Sequence, residues 1–179
     1  MEKLIYFDYA ATTPVRREAA DAMAEALRYF GNPSSRYEYG RQAAQRLKED
    51  REAVAQAFGC SPAELYFTSC GTEGDNWAIR RGVELNRRKG KHIVTTAVEH
   101  AAVLETCRDL ERQGYELTCL KPDRAGRITV EQLAAALRPD TVLVSMMLVN
   151  NETGAILPVA ECVKAVKALD PAPGAGAGF

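Results

Sequence analysis

Leu65-Tyr66-Phe67-Thr68-Ser69-Cys70-Gly71-Thr72-Glu73-Gly74-Asp75-Asn76-Trp77-Ala78-Ile79 is the stretch on which the reading of this chain turns. Residues 65–68 are apolar, aromatic or β-branched and predict a short strand. Trp77, Ala78 and Ile79 open an apolar helical pattern. Ser69, Gly71 and Thr72 then form a small-residue turn where a strand feeds a helix. In an open α/β sheet such a turn lies at the carboxyl end of a strand, where ligands collect. The first N–H groups of a helix lack internal partners and carry partial positive charge, which suits an anion such as a phosphate. Gly71 permits close approach of the backbone, and the Thr72 hydroxyl adds a donor. The stretch is neither a G-x-G-x-x-G nor a G-x-x-x-x-G-K-[ST] fingerprint, and an ordinary turn with a cap reads it as well.

Outward from this turn the chain alternates. Strands are predicted at 92–96, 115–120 and 141–149, with helices at 101–113, 129–137 and 158–168 between and after them. Together with 65–68 this is the pattern of a parallel sheet built from βαβ units, hence an α/β fold with a mainly parallel sheet and flanking helices. Upstream, Thr13 and Pro14 predict the start of a helix running to about Phe30, with Val15, Ala19, Ala22, Met23, Ala26, Leu27 and Phe30 as its apolar stripe. A second helix is expected over 36–58, stopped by Gly59, and Ser61-Pro62-Ala63-Glu64 has capping-box spacing. The expected division is an N-terminal arm and helices over 1–60, a sheet domain over 61–170, and a low-complexity Pro/Gly/Ala tail over 171–179.

The 179 residues are 46% hydrophobic and 26% charged with a net charge of −1, which leaves no electrostatic footprint for nucleic acid or an acidic membrane. No apolar run reaches the length of a membrane span, and the first residues do not read as a signal peptide, so the cytoplasm is the expected location. Five cysteines without a C-x-x-C and only two histidines predict neither a disulfide framework nor a metal site. Most of the cysteines read as small buried hydrophobes. Cys70, next to the anion turn and a helix N-terminus, is the one placed for a lowered thiol pKa, although a packing role is favoured for it too.

Polar groups follow three of the predicted strands: Gly71-Thr72, Glu99-His100 and Asn150-Asn151-Glu152-Thr153-Gly154. Strand ends on one edge of a parallel sheet converge in space. His100 is therefore a candidate acid/base or a ring that stacks on a planar ligand, with a helix-capping histidine as the competing reading. Asn151 offers an amide to a ligand oxygen, unless the segment is an ordinary turn.

Five ordered stretches carry a resemblance. They are Tyr6-Phe7-Asp8-Tyr9-Ala10-Ala11-Thr12-Thr13-Pro14, Asn32-Pro33-Ser34-Ser35, Phe67-Thr68-Ser69-Cys70-Gly71-Thr72-Glu73, Val98-Glu99-His100-Ala101-Ala102-Val103-Leu104 and Val149-Asn150-Asn151-Glu152-Thr153-Gly154. Together they resemble the amino-terminal half of a cysteine desulfurase of the NifS/IscS type, in the class V aminotransferase group of pyridoxal-phosphate enzymes. The resemblance implies part of the large domain of an aspartate aminotransferase-like transferase, with pyridoxal 5'-phosphate as cofactor. It implies that Gly71 and Thr72 hold the cofactor phosphate and that His100 stacks on the pyridine ring and moves protons. It places Asn151 near the phenolic oxygen or the substrate carboxylate. Tyr37 stands where the family often has His, and Cys70 where it has Gly or Ala.

By the same resemblance the complete enzyme takes L-cysteine to L-alanine and an enzyme persulfide. It passes the sulfur to an acceptor or scaffold protein for iron–sulfur cluster or thio-cofactor synthesis, and is typically a homodimer. The family's Schiff-base lysine segment and its sulfur-accepting cysteine have no counterpart here, so this chain is expected to be an inactive, truncated form. The competing expectations are another class V enzyme, such as a selenocysteine lyase or aminotransferase, and a non-catalytic fragment or interaction module.

Overall fold

The computed structural model describes residues 5–169, and its internal contacts divide the chain into two units, Met1–Phe67 and Thr68–Phe179. The division falls a few residues beyond the boundary expected at 60/61, and the tail expected over 171–179 lies outside the described residues.

In the first unit, helix α1 spans Arg17–Ala26. It starts later and ends earlier than the predicted helix. Arg16 is still extended, with φ −61° and ψ 145° and no side-chain cap, so Thr13 and Pro14 do not open the helix. At the other end Arg28 N–H bonds Glu25 O and Tyr29 N–H bonds Ala26 O, a tightening to i−3 bonds that ends the helix ahead of Gly31. Of the expected stripe only Ala19, Ala22, Met23 and Ala26 lie on α1, while Val15, Leu27 and Phe30 fall outside it, and none of α1 is buried. Helix α2, Glu38–Phe58, ends as predicted at Gly59, whose φ of +68° is the left-handed conformation that favours glycine. A 3-10 turn over Pro62–Glu64 follows, with Ser61 N–H donating to Glu64 Oε2 at 2.8 Å. The strand expected over 65–68 does not form. Leu65 is extended, but residues 65–68 join no ladder among the described residues, and an extended backbone without a partner is not a strand.

The second unit contains α3 (Gly71–Asn86), β1 (His92–Thr96), α4 (Ala101–Arg112), β2 (Glu116–Leu120), α5 (Val130–Ala136), β3 (Thr141–Val144) and α6 (Val159–Leu169). The three strands form a parallel sheet in the order β2-β1-β3, one strand fewer among the described residues than expected. Central strand β1 is buried along its whole length, and its side chains alternate between two cores. Ile93 packs with Ile79 and Val83 of α3, Val103, Cys107 and Leu110 of α4, and Val142 of β3. Val94 packs on the other face with Leu120, Ile128, Leu133 of α5, Leu157 and Cys162 of α6. A parallel sheet covered by helices on both faces is the arrangement that βαβ connections produce. Each fully buried Val, Leu or Ile adds about 1.5–3 kcal/mol to it.

His92 pairs with Thr141 and Ile93 with Leu143, so Val142 is an extra residue in β3 and the register shifts there. Val142 and Leu143 consequently both reach the α3/α4 core. Strand β3 is also shorter than predicted. Its last link to β1 is Ser145 N–H to Val94 O at 2.9 Å, and the remaining apolar residues turn back on themselves. Val149 forms an isolated antiparallel bridge with Ile156, and Gly154 between them sits at φ +73°. Apolarity predicted the length of this run, whereas ladder bonding stops it at Val144.

Candidate functional site

Helix α3 begins at the glycine turn. Cys70 precedes it in extended conformation, and Ser69 folds onto the first turn, its N–H and hydroxyl donating to Glu73 Oε2 at 2.6 and 2.7 Å. Those two bonds hold the Glu73 carboxyl below its ordinary pKa. A Cβ built on Gly71 meets no protein atom within 4 Å, so the space over this peptide is open to a ligand. Thr72 is exposed beside it. Cys70 departs from the packing role expected of it: the thiol is exposed, and the Glu73 N–H, then the Ser69 hydroxyl, draw its pKa down. Cys107 and Cys162 are the buried cysteines, and burial pushes Cys107 up to about 11.

The other side of the site is built by the loop from β1 to α4. His100 is the N-cap of α4: its Nδ1 accepts the Ala102 N–H at 3.1 Å. The capping reading is thus correct for one ring edge. It also fixes the tautomer of the neutral ring, leaving Nε2 to carry the proton, and the exposed ring keeps a free face. Thr72 and His100 line one open cleft of about 470 Å³ between α3 and α4. That volume lies within the range of roughly 300–1,000 Å³ typical of small-molecule sites. Asn76 and Arg80, one and two turns after Thr72, line the same cleft. Sequence reasoning overlooked both, although the i, i+4, i+8 spacing on a predicted helix identifies them. Arg80 is ion-paired with Asp109 of α4 at 2.8 Å.

Asn151 is not among the cleft's lining residues. It is exposed on the turn after β3, where its amide contacts Glu152 Oε1 at 3.3 Å. Its neighbour Asn150 is buried and organises the turn. Asn150 Oδ1 accepts from the Glu152 N–H, the Thr153 N–H and the Thr153 hydroxyl at 3.0, 2.8 and 3.1 Å. Its Nδ2 donates to Val98 O at 2.9 Å in the loop that precedes His100. Glu99 is buried in that loop, accepting the Thr96 hydroxyl at 3.0 Å and the Met147 N–H at 2.6 Å. Burial raises the Glu99 carboxyl above its ordinary pKa, against the pull of those two donors. Helix-terminal amides and a threonine hydroxyl as donors, with an imidazole face as a stacking surface beside an open cleft, suit a small, planar, anionic ligand.

The family model for class-V aminotransferases matches residues 5–172. The chain belongs to that family. Among curated relatives, this class-V chain is 48% identical over 160 residues to the cysteine desulfurase IscS of Methanosarcina thermophila, covering 89% of this chain and 40% of that protein. It is 47% identical over 171 residues to the cysteine desulfurase IscS of Dictyoglomus turgidum, covering 95% and 43%. Among solved structures, a NifS-like protein superposes with a TM-score of 0.87 at 38% identity, over 93% of this chain and 46% of that one. A structure of SspA in complex with cysteine gives 0.82 at 35% identity, over 92% and 48%. The class-V chain therefore has the fold of part of these enzymes and spans about two fifths of the length of the curated relatives it matches.

Proposed function

We propose that this chain contributes the phosphate- and ring-binding side of a pyridoxal 5'-phosphate site in a cysteine desulfurase. The observation that carries the reading is that Thr72, in the first turn of α3, and His100, the N-cap of α4, line one cleft. The class-V family is a family of pyridoxal-phosphate enzymes, and its cofactor acts as an electron sink for bonds at the substrate's α-carbon. In this reading the amides at Gly71 and Thr72, with the Thr72 hydroxyl, hold the phosphate. The His100 ring covers the planar ring, oriented by its cap bond to Ala102, and Nε2 is the nitrogen positioned to move a proton. The Asn151 amide serves the phenolic oxygen or the substrate carboxylate. The overall change is cleavage of the C–S bond of L-cysteine. The sulfur passes to an enzyme thiol as a persulfide, the alanine carbon gains the proton, and the persulfide serves an acceptor protein. The complete enzyme acts as a cytoplasmic homodimer in this proposal.

The test titrates the 179-residue chain with pyridoxal phosphate while recording the fluorescence of its one tryptophan, Trp77, which lies on α3 just after the turn. Saturable quenching, displaced by inorganic phosphate, is expected. Thr72→Val and His100→Ala should each weaken it, the former by roughly tenfold, as befits a hydrogen bond to a charged group. These residues alone should release no sulfide from L-cysteine, and borohydride should trap no single lysine. Variants that bind as tightly as the unaltered chain would refute the site.

A further inference from the structure

The ladder between β1 and β3 ends at the Ser145–Val94 bond, yet the groups of interest come later, His100 on one loop and Asn151 on the other. Past the ladder, two buried side chains carry the connection. Glu99 reaches from the β1 loop to the Met147 amide, and Asn150 reaches back from the β3 loop to the Val98 carbonyl. Both are almost wholly buried, Glu99 at 9% and Asn150 at 6% exposure. We propose that Glu99 is a positioning residue: its carboxylate clasps the loop that delivers His100 to the loop that delivers Asn151, and so sets where those two side chains stand relative to each other. The inference rests on the proposed site for its purpose, whereas the clasp itself rests on geometry alone.

Two features separate this from ordinary loop packing. A buried carboxylate is a costly way to join two loops unless its charge shortens and directs the bond, and the Met147 contact at 2.6 Å is short. The anchor is also rigid on its own side, because the Thr96 hydroxyl, at the end of a wholly buried strand, donates to the same oxygen. One peptide separates this fixed carboxylate from His100. Asp75 of α3 acts on the Glu99 carboxyl, and Glu99 acts on Cys107 of α4 and Cys119 of β2. None of these three supplies a positive charge, and the Thr96 hydroxyl and the Met147 N–H are the donors that oppose the effect of burial on Glu99.

The experiment uses NMR on the full chain, where two histidines and the Asn151 side-chain amide are readily distinguished reporters. In the unaltered chain the Met147 amide is expected to exchange slowly, since it is bonded to the buried Glu99 carboxylate. Glu99→Ala lowers that protection by on the order of ten- to a hundredfold, as expected for losing a bond to a charged acceptor, and shifts the His100 ring and Asn151 amide signals together. Glu99→Gln, which keeps an acceptor oxygen, returns both toward their original positions. A residue with only a structural role would lower the melting temperature and leave those signals in place in the folded protein. Unmoved His100 and Asn151 signals in Glu99→Ala overturn the proposal. Fast exchange of Met147 in the unaltered chain also overturns it, and that measurement decides the matter should the alanine variant not fold. A parallel titration with pyridoxal phosphate keeps the two readings apart. Absence of any response alongside the stated NMR changes defeats the cofactor site and leaves the clasp standing.

Discussion

His92 begins β1 with both ring nitrogens engaged, Nδ1 with the Thr141 hydroxyl and Nε2 with the Thr118 hydroxyl, each at 2.8 Å. The ring is completely buried, and burial, then the nearby Arg138, lowers its pKa, with Asp140 and Glu116 acting in the opposite sense. An unfolded histidine takes up a proton near pH ~6.5, whereas the folded one resists. Stability attributable to His92 is therefore complete above that value and falls as the pH drops through it toward the folded pKa. Glu99 works the other way: its raised pKa gives a contribution present at low pH and lost as the pH rises through the folded value. The informative quantity is thus the difference between the unaltered chain and His92→Gln. Between about pH 7.5 and about pH 5.5 the melting temperature of the unaltered chain should fall more steeply than that of the variant. Parallel slopes would mean that His92 is not the acid-sensitive group. The role of His92 was invisible in the sequence, because its partners lie on two other strands. That Thr72 and His100 line one cleft was legible because each stands at the start of a predicted helix.

At the scale of elements, periodicity and caps located the helices and strands of the second unit well. β1 coincides with its predicted span because five consecutive buried residues leave no ambiguity about where the run starts and stops. The errors fall where local sequence is silent about partners. Residues 65–68 have strand chemistry and no ladder, and β3 loses its second half to a turn organised by Asn150. Short α5 shows how much a cap contributes to such an element. Thr129 Oγ1 accepts the Gln132 N–H at 3.2 Å while Gln132 Oε1 accepts the Thr129 N–H at 2.8 Å. The helix is seven residues long and presents the fully buried Leu133 to the sheet. Thr129→Ala should therefore destabilise the unit by about 1 kcal/mol, measured as a lower urea midpoint at unchanged slope. A midpoint equal to that of the unaltered chain would show that tertiary packing alone holds α5.

For the molecule as a whole, the first unit exposes much apolar surface: Phe7 and Leu27 are each 87% exposed and Phe30 is 82% exposed. The apolar residues between Val15 and Phe30 were legible in the sequence, but periodicity did not show that Leu27 and Phe30 lie past the end of α1, nor what covers them. Contiguous exposed apolar surface drives association in water. The 179-residue chain should bind a hydrophobic dye and sediment as progressively heavier species with rising concentration, and Leu27→Glu with Phe30→Glu should reduce both effects. A dye-silent monomer would contradict this. The strand order β2-β1-β3 has a different consequence, one in time. During synthesis the central strand leaves the ribosome before either of its neighbours, with both edges unpaired and apolar side chains on both faces. It stays so until α4 and β2 have followed, and its other edge waits longer still, for α5 and β3. Non-local parallel pairing of this kind is slow, and the interval is one in which a nascent chain is vulnerable to the wrong partner.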